Sequence, residues 1–143
     1  MAEYRNIGHT IYDVKVHIVW ITKYRYKILK GSIGRRLIEL IRQGCDVRRI
    51  EIIKGSVSPD HVHILVSMPP SLSISKMVQY LKGRSSHLLQ DEFPELKKRY
   101  WGQHMWARGY FCATVGAVTE EMISNYIEHQ ALPEMENFKL LEE

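Results

Sequence analysis

Hydrophobic and polar positions alternate in several short segments of the chain, which is the pattern of half-buried strands. Residues 11–22, with the sequence IYDVKVHIVWIT, place apolar and polar side chains on opposite faces of one strand. Residues 47–57 and 61–68 are β-rich runs separated by the turn-forming sequence SPD, so they predict a hairpin. Residues 105–116, MWARGYFCATVG, predict a fourth strand.

Three other segments repeat their apolar positions at the spacing of an α helix. The first covers residues 32–45, and Gly44 is expected to mark its end. Ser73 is a capping residue for a second helix that extends to about residue 90. A threonine followed by two glutamates begins a third helix at residues 119–132, which ends before Pro133.

The order of the first six elements is strand, helix, strand, strand, helix, strand, as in the ferredoxin-like split βαβ fold. We therefore expect an α+β protein with an antiparallel sheet, two helices on one face, and the C-terminal helix left over to cover the other. The 143 residues fit a single domain, residues 1–143. We expect residues 91–104 to be a polar connection and the charged tail after Pro133 to be loosely held.

The net charge is modestly positive, with 20 Lys and Arg against 16 Asp and Glu. This excess is compatible with a polyanionic partner, and equally with a slightly basic domain that binds none. Cys45 and Cys112 have neither zinc-site nor disulfide-scaffold spacing, so both thiols are expected to be reduced. The sequence contains no apolar signal core or membrane-length run, which predicts a cytoplasmic protein without membrane contact.

Two histidines occupy alternate positions of the strand at residues 61–68. Because side chains alternate across a strand, His61 and His63 point away from the apolar face and towards the open face of the sheet. Their imidazoles can converge on a divalent cation, but a third ligand must come from elsewhere. The alternative is that both are exposed histidines with no shared task, since this triplet alone is a weak signal.

The C-terminal helix carries polar residues that can approach the histidines. Tyr126 and Gln130 lie one turn apart on one row of this helix. If the row docks over the histidines, the Gln130 amide oxygen completes a metal triad and the Tyr126 phenol is a candidate nucleophile for a phosphate. Two alternatives remain: Tyr126 packs as an ordinary amphipathic residue, or His129, about 100° away around the helix, is the ligand instead of Gln130.

Four segments, HIVWITKYRYKIL, SPDHVHILVSMPPSLSISKMVQYLKGRSS, ARGYFCATVG and YIEHQ, resemble the single-tyrosine HUH transposases of the insertion sequence 200/605 family over nearly the whole chain. The resemblance implies that His61, His63 and Gln130 bind Mg²⁺ or Mn²⁺ and that Tyr126 is the nucleophile. Imidazole ligands suit Mn²⁺ better than Mg²⁺, which prefers oxygen.

The resemblance also implies an activity and its partners. Members of this family cleave and rejoin single-stranded DNA through a 5′-phosphotyrosine and release a 3′-hydroxyl. They are homodimers that recognise imperfect DNA hairpins, and the tyrosine helix of one protomer can complete its own site or that of its partner.

Two basic segments are candidates for DNA contacts. One is a loop in which cations alternate with tyrosines, and the other is a helix segment that combines cations with hydroxyls, as suits phosphates and stacked bases. The candidate residues are Lys23, Arg25, Lys27, Lys82, Arg84 and Ser85. The alternative for each segment is an ordinary solvated surface.

Three functions are therefore open at the level of the sequence. The first is a transposase that transfers DNA strands through Tyr126. The second is a non-catalytic regulator that binds hairpins on the same fold, for which Tyr126 would not matter. The third is a metal-dependent phosphoesterase that uses the histidines to activate water and forms no covalent adduct.

Overall fold

The computed structural model describes residues 5–8, 10–114 and 138–141 of the chain. Its strands are β1 (Arg5–Ile7), β2 (Thr10–Tyr12), β3 (Lys15–Ile21), β4 (Glu51–Ser58), β5 (His61–Ser67), β6 (Phe111–Thr114) and β7 (Phe138–Leu140). Its helices are α1 (Gly31–Val47), α2 (Ile74–Glu92) and α3 (Pro94–Tyr100). The helix predicted at residues 119–132, with Tyr126 and Gln130, lies outside the described residues.

Five of the strands form one sheet in the order β6-β3-β5-β4-β7. Neighbours among β6, β3, β5 and β4 are antiparallel, whereas β7 pairs parallel with β4. The four antiparallel strands have the order of the ferredoxin-like motif, in which the third strand lies between the first and the second. The predicted α+β fold and the predicted hairpin of β4 and β5 are confirmed.

The core lies between one face of this sheet and the helices α1 and α2. On the central strand β5, Val62, Ile64 and Val66 are fully buried. They belong to one apolar cluster with residues of β3, α1 and α2, among them Val16, Ile18, Trp20, Leu37, Leu40, Ile41, Met77, Val78 and Leu81. Each large apolar side chain buried in this way contributes about 1.5–3 kcal/mol. The alternation of β5 therefore fixes which residues face the helices and which face away.

The end of α1 differs from the prediction. The helix continues past Gly44 to Val47. Gly44 is buried, and a Cβ atom at this position would lie 3.0 Å from Leu81 Cδ2 of α2. The glycine therefore allows the two helices to approach closely and does not end the helix.

Two predicted strands are shorter than expected. The strand predicted at residues 11–22 is interrupted at Asp13 and Val14, because β2 pairs with β1 in a separate hairpin and only β3 joins the large sheet. Within the described part of the segment predicted at residues 105–116, only Phe111–Thr114 is in a strand.

The polar connection predicted at residues 91–104 contains the helix α3, so this expectation is wrong for Pro94–Tyr100. Leu96 and Tyr100, one turn apart, are both buried in the core, and Pro94 stands at the first helical position, where its fixed φ is favourable. None of the helices in the described ranges is long and apolar enough to cross a bilayer.

The expectation of a loosely held tail is wrong for residues 138–141. Phe138, Lys139 and Leu140 pair with β4 as the strand β7. The Phe138 ring lies directly on Gly55, where a Cβ atom would be 2.8 Å from the ring. The tail therefore closes the β4 edge of the sheet with a close aromatic contact.

Candidate metal and nucleic-acid site

The face of the sheet opposite the helices carries His61 and His63, as the alternation predicts. Directly paired residues of antiparallel strands share a face, so Val19 and Ser56 flank His63, and Ser58 flanks His61. Both rings are nevertheless buried, with His61 1% and His63 3% exposed. The two rings therefore lie on the predicted face of the sheet, but they are not exposed on an open surface as the sequence predicted.

Asp60, in the turn before β5, fixes the orientation of the His61 ring. Asp60 Oδ1 lies 2.9 Å from His61 Nδ1. Burial alone raises the pKa of Asp60, but the hydrogen bond and charge of His61 and the Arg25 guanidinium together hold this pKa below its usual value. Since an ionised carboxylate only accepts hydrogen bonds, Nδ1 of His61 is the donor. In the neutral ring the lone pair is then on Nε2.

His63 contacts a third histidine that the sequence reasoning missed. His17 Nδ1 of β3 lies 3.1 Å from His63 Nε2, and the two rings stack. Burial, together with the neighbouring His17 and His61, lowers the pKa of His63 to about 3. His63 is therefore a neutral imidazole at pH 7. If its Nε2 donates to His17, its Nδ1 presents a lone pair. The signal in the sequence was the position of His17 on the polar face of the first predicted strand.

Two buried imidazole nitrogens remain without a hydrogen-bond partner in the described part of the chain, His61 Nε2 and His63 Nδ1. An unpaired buried polar atom costs about 1–3 kcal/mol. Two such nitrogens on one sheet face fit a cation that accepts imidazole ligands. Within residues 5–8, 10–114 and 138–141, no group of three His, Cys, Asp or Glu side chains could hold a metal. A third protein ligand would therefore be of another type or come from another segment.

The basic loop after β3, residues 22–29, carries cations and aromatic rings. Tyr24 is 71% exposed, and Lys23 Nζ lies 5.3 Å from the centre of its ring. Tyr24 and Arg25 have φ angles of 61° and 54°, in the left-handed region that side chains rarely adopt. Arg25 binds Asp60, whereas Lys27 is exposed. The exposed Tyr24 ring is suited to stack on a base.

Two of the candidate residues on α2 hold other segments of the protein. Lys82 Nζ donates to the carbonyl oxygens of Ala107 and Gly109 at 2.8 and 2.9 Å, and burial lowers its pKa. Arg84 donates to the Leu40 carbonyl oxygen of α1 at 3.0 Å. Both side chains therefore have structural partners, and their role in DNA binding stays a prediction.

Ser85 is buried, with its hydroxyl hydrogen-bonded on both sides. It donates to the Leu81 carbonyl oxygen at 2.7 Å and accepts from Trp106 Nε1 at 3.0 Å. These contacts fasten the 105–110 segment to α2, which a local pattern of cations and hydroxyls does not reveal. Its role in DNA binding also stays a prediction.

A groove of about 640 Å³ lies between α2 and the segment before β6. Its lining is basic and aromatic, with Lys23, Lys82, His104, Trp106, Arg108 and Tyr110 among the residues. His104 and Arg108 were not among the candidates, because their segment was predicted as a connection and a strand. Lys23 is shared between the basic loop and this groove.

Comparisons with known proteins agree with the fold and with the family resemblance seen in the sequence. Residues 10–130 match the family described as "Transposase IS200 like". The transposase for insertion sequence element IS200 of Salmonella typhimurium is 36% identical over 130 residues, which cover 91% of this chain and 85% of the relative. The ISDra2 transposase TnpA of Deinococcus radiodurans is 35% identical over 120 residues, covering 84% and 86% respectively.

Two solved structures resemble this chain. A crystal structure of a candidate transposase from Deinococcus radiodurans R1 superimposes with a TM-score of 0.80 at 31% identity, covering 90% of this chain and 99% of the other. A REP-associated tyrosine transposase bound to a REP hairpin superimposes with a TM-score of 0.57 at 18% identity, covering 92% and 76%. The second likeness is one of fold alone.

Proposed function

Since the chain belongs to the family of IS200-like transposases, we propose that it cleaves and rejoins single-stranded DNA through a covalent 5′-phosphotyrosine at Tyr126. The DNA would be the ends of an insertion sequence. The observation that carries the proposal is the pair of unpaired, buried nitrogens of His61 and His63 on one face of the sheet.

His61 Nε2 and His63 Nδ1 would hold Mg²⁺ or Mn²⁺, with the Gln130 amide oxygen as a third ligand. When bound, the cation stabilises the charge that develops on the phosphoryl oxygens. Imidazole ligands favour Mn²⁺, because Mg²⁺ prefers oxygen ligands. The chain itself supplies the neutral state of His63 through burial and the orientation of His61 through Asp60.

Tyr126 would be the nucleophile in an in-line displacement at the scissile phosphate. Its phenolic oxygen forms a bond to phosphorus as the bond to the 3′ oxygen breaks, and the leaving oxygen takes up a proton as the phenol loses one. A free tyrosine has a pKa near ~10, so the phenol needs activation by the site. Because the phosphotyrosine retains the energy of the phosphodiester, a second 3′-hydroxyl can reverse the step without ATP.

The substrate would be DNA with hairpins, bound by a homodimer in which the tyrosine acts in its own or in its partner's site. The net charge of +4 and the exposed Tyr24 and Lys27 support a nucleic-acid partner. The REP-associated tyrosine transposase, a structural neighbour of similar fold, is bound to a REP hairpin.

A denaturing gel tests the proposal. Wild-type protein is incubated with a labelled single-stranded oligonucleotide that carries a hairpin and the end of the element, with Mn²⁺ or with EDTA. We expect a protein-linked oligonucleotide with Mn²⁺ only, and none in Tyr126→Phe, which removes only the phenolic oxygen. His61→Ala should also abolish the adduct and retain the fold.

Other outcomes favour the other functions. Tight hairpin binding by wild type without an adduct or cleavage favours a non-catalytic regulator. Cleavage without an adduct favours a phosphoesterase. An adduct that persists in Tyr126→Phe would show that another tyrosine is the nucleophile. Tyr110, which lines the groove, is then a better candidate than the buried Tyr100, whose pKa burial raises to about 12.

A further inference from the structure

The carboxylate of Asp60 joins a residue of the basic loop to a candidate metal ligand. Its Oδ1 accepts a hydrogen bond from His61 Nδ1 at 2.9 Å. Its Oδ2 accepts two from Arg25, from Nε at 3.2 Å and from Nη2 at 3.0 Å. The Asp60 side chain is only 2% exposed. Three N–H donors on two side chains thus converge on one buried carboxylate.

Hydrogen bonds also fix the backbone around Asp60. The Asp60 carbonyl oxygen accepts a hydrogen bond from the Thr22 amide at 2.9 Å. The Leu29 amide donates to the Pro59 carbonyl oxygen at 2.9 Å. The two ends of the basic loop therefore clamp the turn that carries Asp60, and the carboxylate has a fixed position relative to His61.

Stability alone does not account for this arrangement. A buried ion pair contributes little net stability, because removing both charges from water costs about as much as their attraction returns. The arrangement has a more specific effect on His61. A carboxylate that accepts from Nδ1 selects the tautomer whose lone pair is on Nε2, and it fixes the ring orientation as such partners do for metal-binding histidines.

We propose that Asp60 is a positioning residue, which holds His61 so that Nε2 can bind the cation, and that Arg25 serves to hold Asp60. Arg25 then affects the metal site through the turn that carries Asp60. The DNA phosphates are contacted by other cations of the basic loop. This inference rests on the metal site of the proposed function and is independent of the tyrosine chemistry.

The first test measures Mn²⁺ binding to the DNA-free protein by electron paramagnetic resonance of the free ion. Asp60→Asn keeps the shape of the side chain but removes its charge. We expect Mn²⁺ to bind about 10- to 100-fold more weakly, as is typical when the partner of a metal-binding histidine is lost. Asp13→Asn is the matched control, because Asp13 pairs with Lys15 at 2.7 Å and, among the described contacts, has none with His61 or His63. Its Mn²⁺ affinity should equal that of wild type.

The second test reads the tautomer of His61 in the metal-free protein from its imidazole ¹⁵N chemical shifts. Wild type should show a protonated Nδ1 and an unprotonated Nε2, and Asp60→Asn should show a mixture of tautomers. A purely structural ion pair would lower the melting temperature of the variant and leave the tautomer unchanged.

Arg25→Lys is a second variant that keeps the inference testable if Asp60→Asn does not fold. It retains the charge and loses the two-pronged contact with Asp60. We expect weaker Mn²⁺ binding and unchanged metal-free affinity for hairpin DNA. Weaker DNA binding with unchanged Mn²⁺ affinity would overturn the assignment of Arg25.

Different results would contradict the positioning role of Asp60 and the tyrosine chemistry of the proposed function. If wild type binds Mn²⁺ and a folded Asp60→Asn binds it equally well, the positioning role is overturned and the transposase proposal stands. If Asp60→Asn loses Mn²⁺ as expected while wild type forms no covalent adduct, the positioning role holds and the tyrosine mechanism is wrong. A wild type that binds no Mn²⁺ overturns the metal site in both.

Discussion

His17 Nδ1 lies 3.1 Å from His63 Nε2, and the two rings stack with their centroids 5.3 Å apart. The contact joins two neighbouring strands, since His17 is on β3 and His63 on β5. If Nε2 of His63 carries the proton, His17 is its acceptor, just as Asp60 accepts the Nδ1 proton of His61. Each candidate ligand thus has a partner that occupies one ring nitrogen and leaves the other for a cation.

Replacing His17 by Phe tests this relationship. The variant retains a flat ring to stack on His63 and removes the Nδ1 atom that contacts His63 Nε2. We expect Mn²⁺ affinity to fall by about 10-fold, measured by paramagnetic resonance on the DNA-free protein. His87→Phe is the control, because the His87 side chain is 74% exposed on α2 and pairs with Asp91 on the same helix. Equal Mn²⁺ affinity in His17→Phe and wild type would show that the contact does not support the site.

Acid should destabilise the metal-free protein at pH values below the ordinary pKa of histidine. The pKa of His63 is lowered from 6.5 to about 3 in the folded state, mainly by burial. Between these values the unfolded chain binds a proton that the folded chain does not. The free energy of unfolding therefore falls as the pH is lowered through this window, by up to about 1.4 kcal/mol per pH unit. The lowered pKa of His17 acts in the same direction.

Urea unfolding of the metal-free protein between pH 7 and pH 5 checks this expectation. His63→Phe removes the titrating ring, so its stability should decline with a shallower slope than that of wild type. Parallel slopes in the two proteins would mean that His63 is protonated as readily in the folded chain as in the unfolded one.

The strands of the sheet are predicted well from the sequence, because the alternation of apolar and polar residues is a local pattern. Alternation on β5 places Val62 and Ile64 in the core and His63 on the opposite face, and these positions are confirmed. Gly44 led to the wrong end for α1. Its role is to allow close contact with Leu81 of α2, which is far away in the sequence. The helix α3 was missed because charged residues surround its two buried positions.

The candidate site is predictable only in part. The HxH spacing identifies the candidate ligands, but it does not reveal that both rings are buried. Asp60 has the appearance of an ordinary turn residue, and its contact with Arg25 spans 35 positions. Lys82 and Ser85 form a basic, hydroxyl-rich pattern, yet their hydrogen bonds go to the segment at 105–110. Partners that are distant in sequence leave no local signal.

The two cysteines should differ sharply in reactivity. Cys45 is buried in α1, and burial raises its pKa to about 12, so almost no thiolate is present. Cys112 is exposed on β6. We expect one thiol per chain to react with Ellman's reagent at pH 8 in the native protein, and two in denaturant. Cys112→Ser should abolish the native reaction, and a persisting reaction would place Cys45 within reach of the reagent.

Gly55 and Phe138 should be energetically coupled. Gly55→Ala places a methyl group against the Phe138 ring and should destabilise the protein by about 1–3 kcal/mol. In a Phe138→Ala background the same change should cost much less, which a double-mutant cycle in urea measures. Gly83→Ala is the control: this α2 position has open space, so a gain of about 0.5–1 kcal/mol is expected. An equal cost of Gly55→Ala in both backgrounds would contradict the packing of β7 on β4.

Identification of the residue that carries DNA is the most direct test of the proposed transposase chemistry. The adduct formed with Mn²⁺ is trimmed by nuclease, cleaved after glutamates and sequenced by mass spectrometry. Trypsin would leave Tyr110 and Tyr126 on one peptide, because residues 109–138 contain no Lys or Arg, whereas cleavage after glutamates isolates residues 122–128 with Tyr126. We predict the added nucleotide mass on Tyr126. A nucleotide on Tyr110 or any other residue, or hairpin-bound protein without covalent nucleotide, would contradict it.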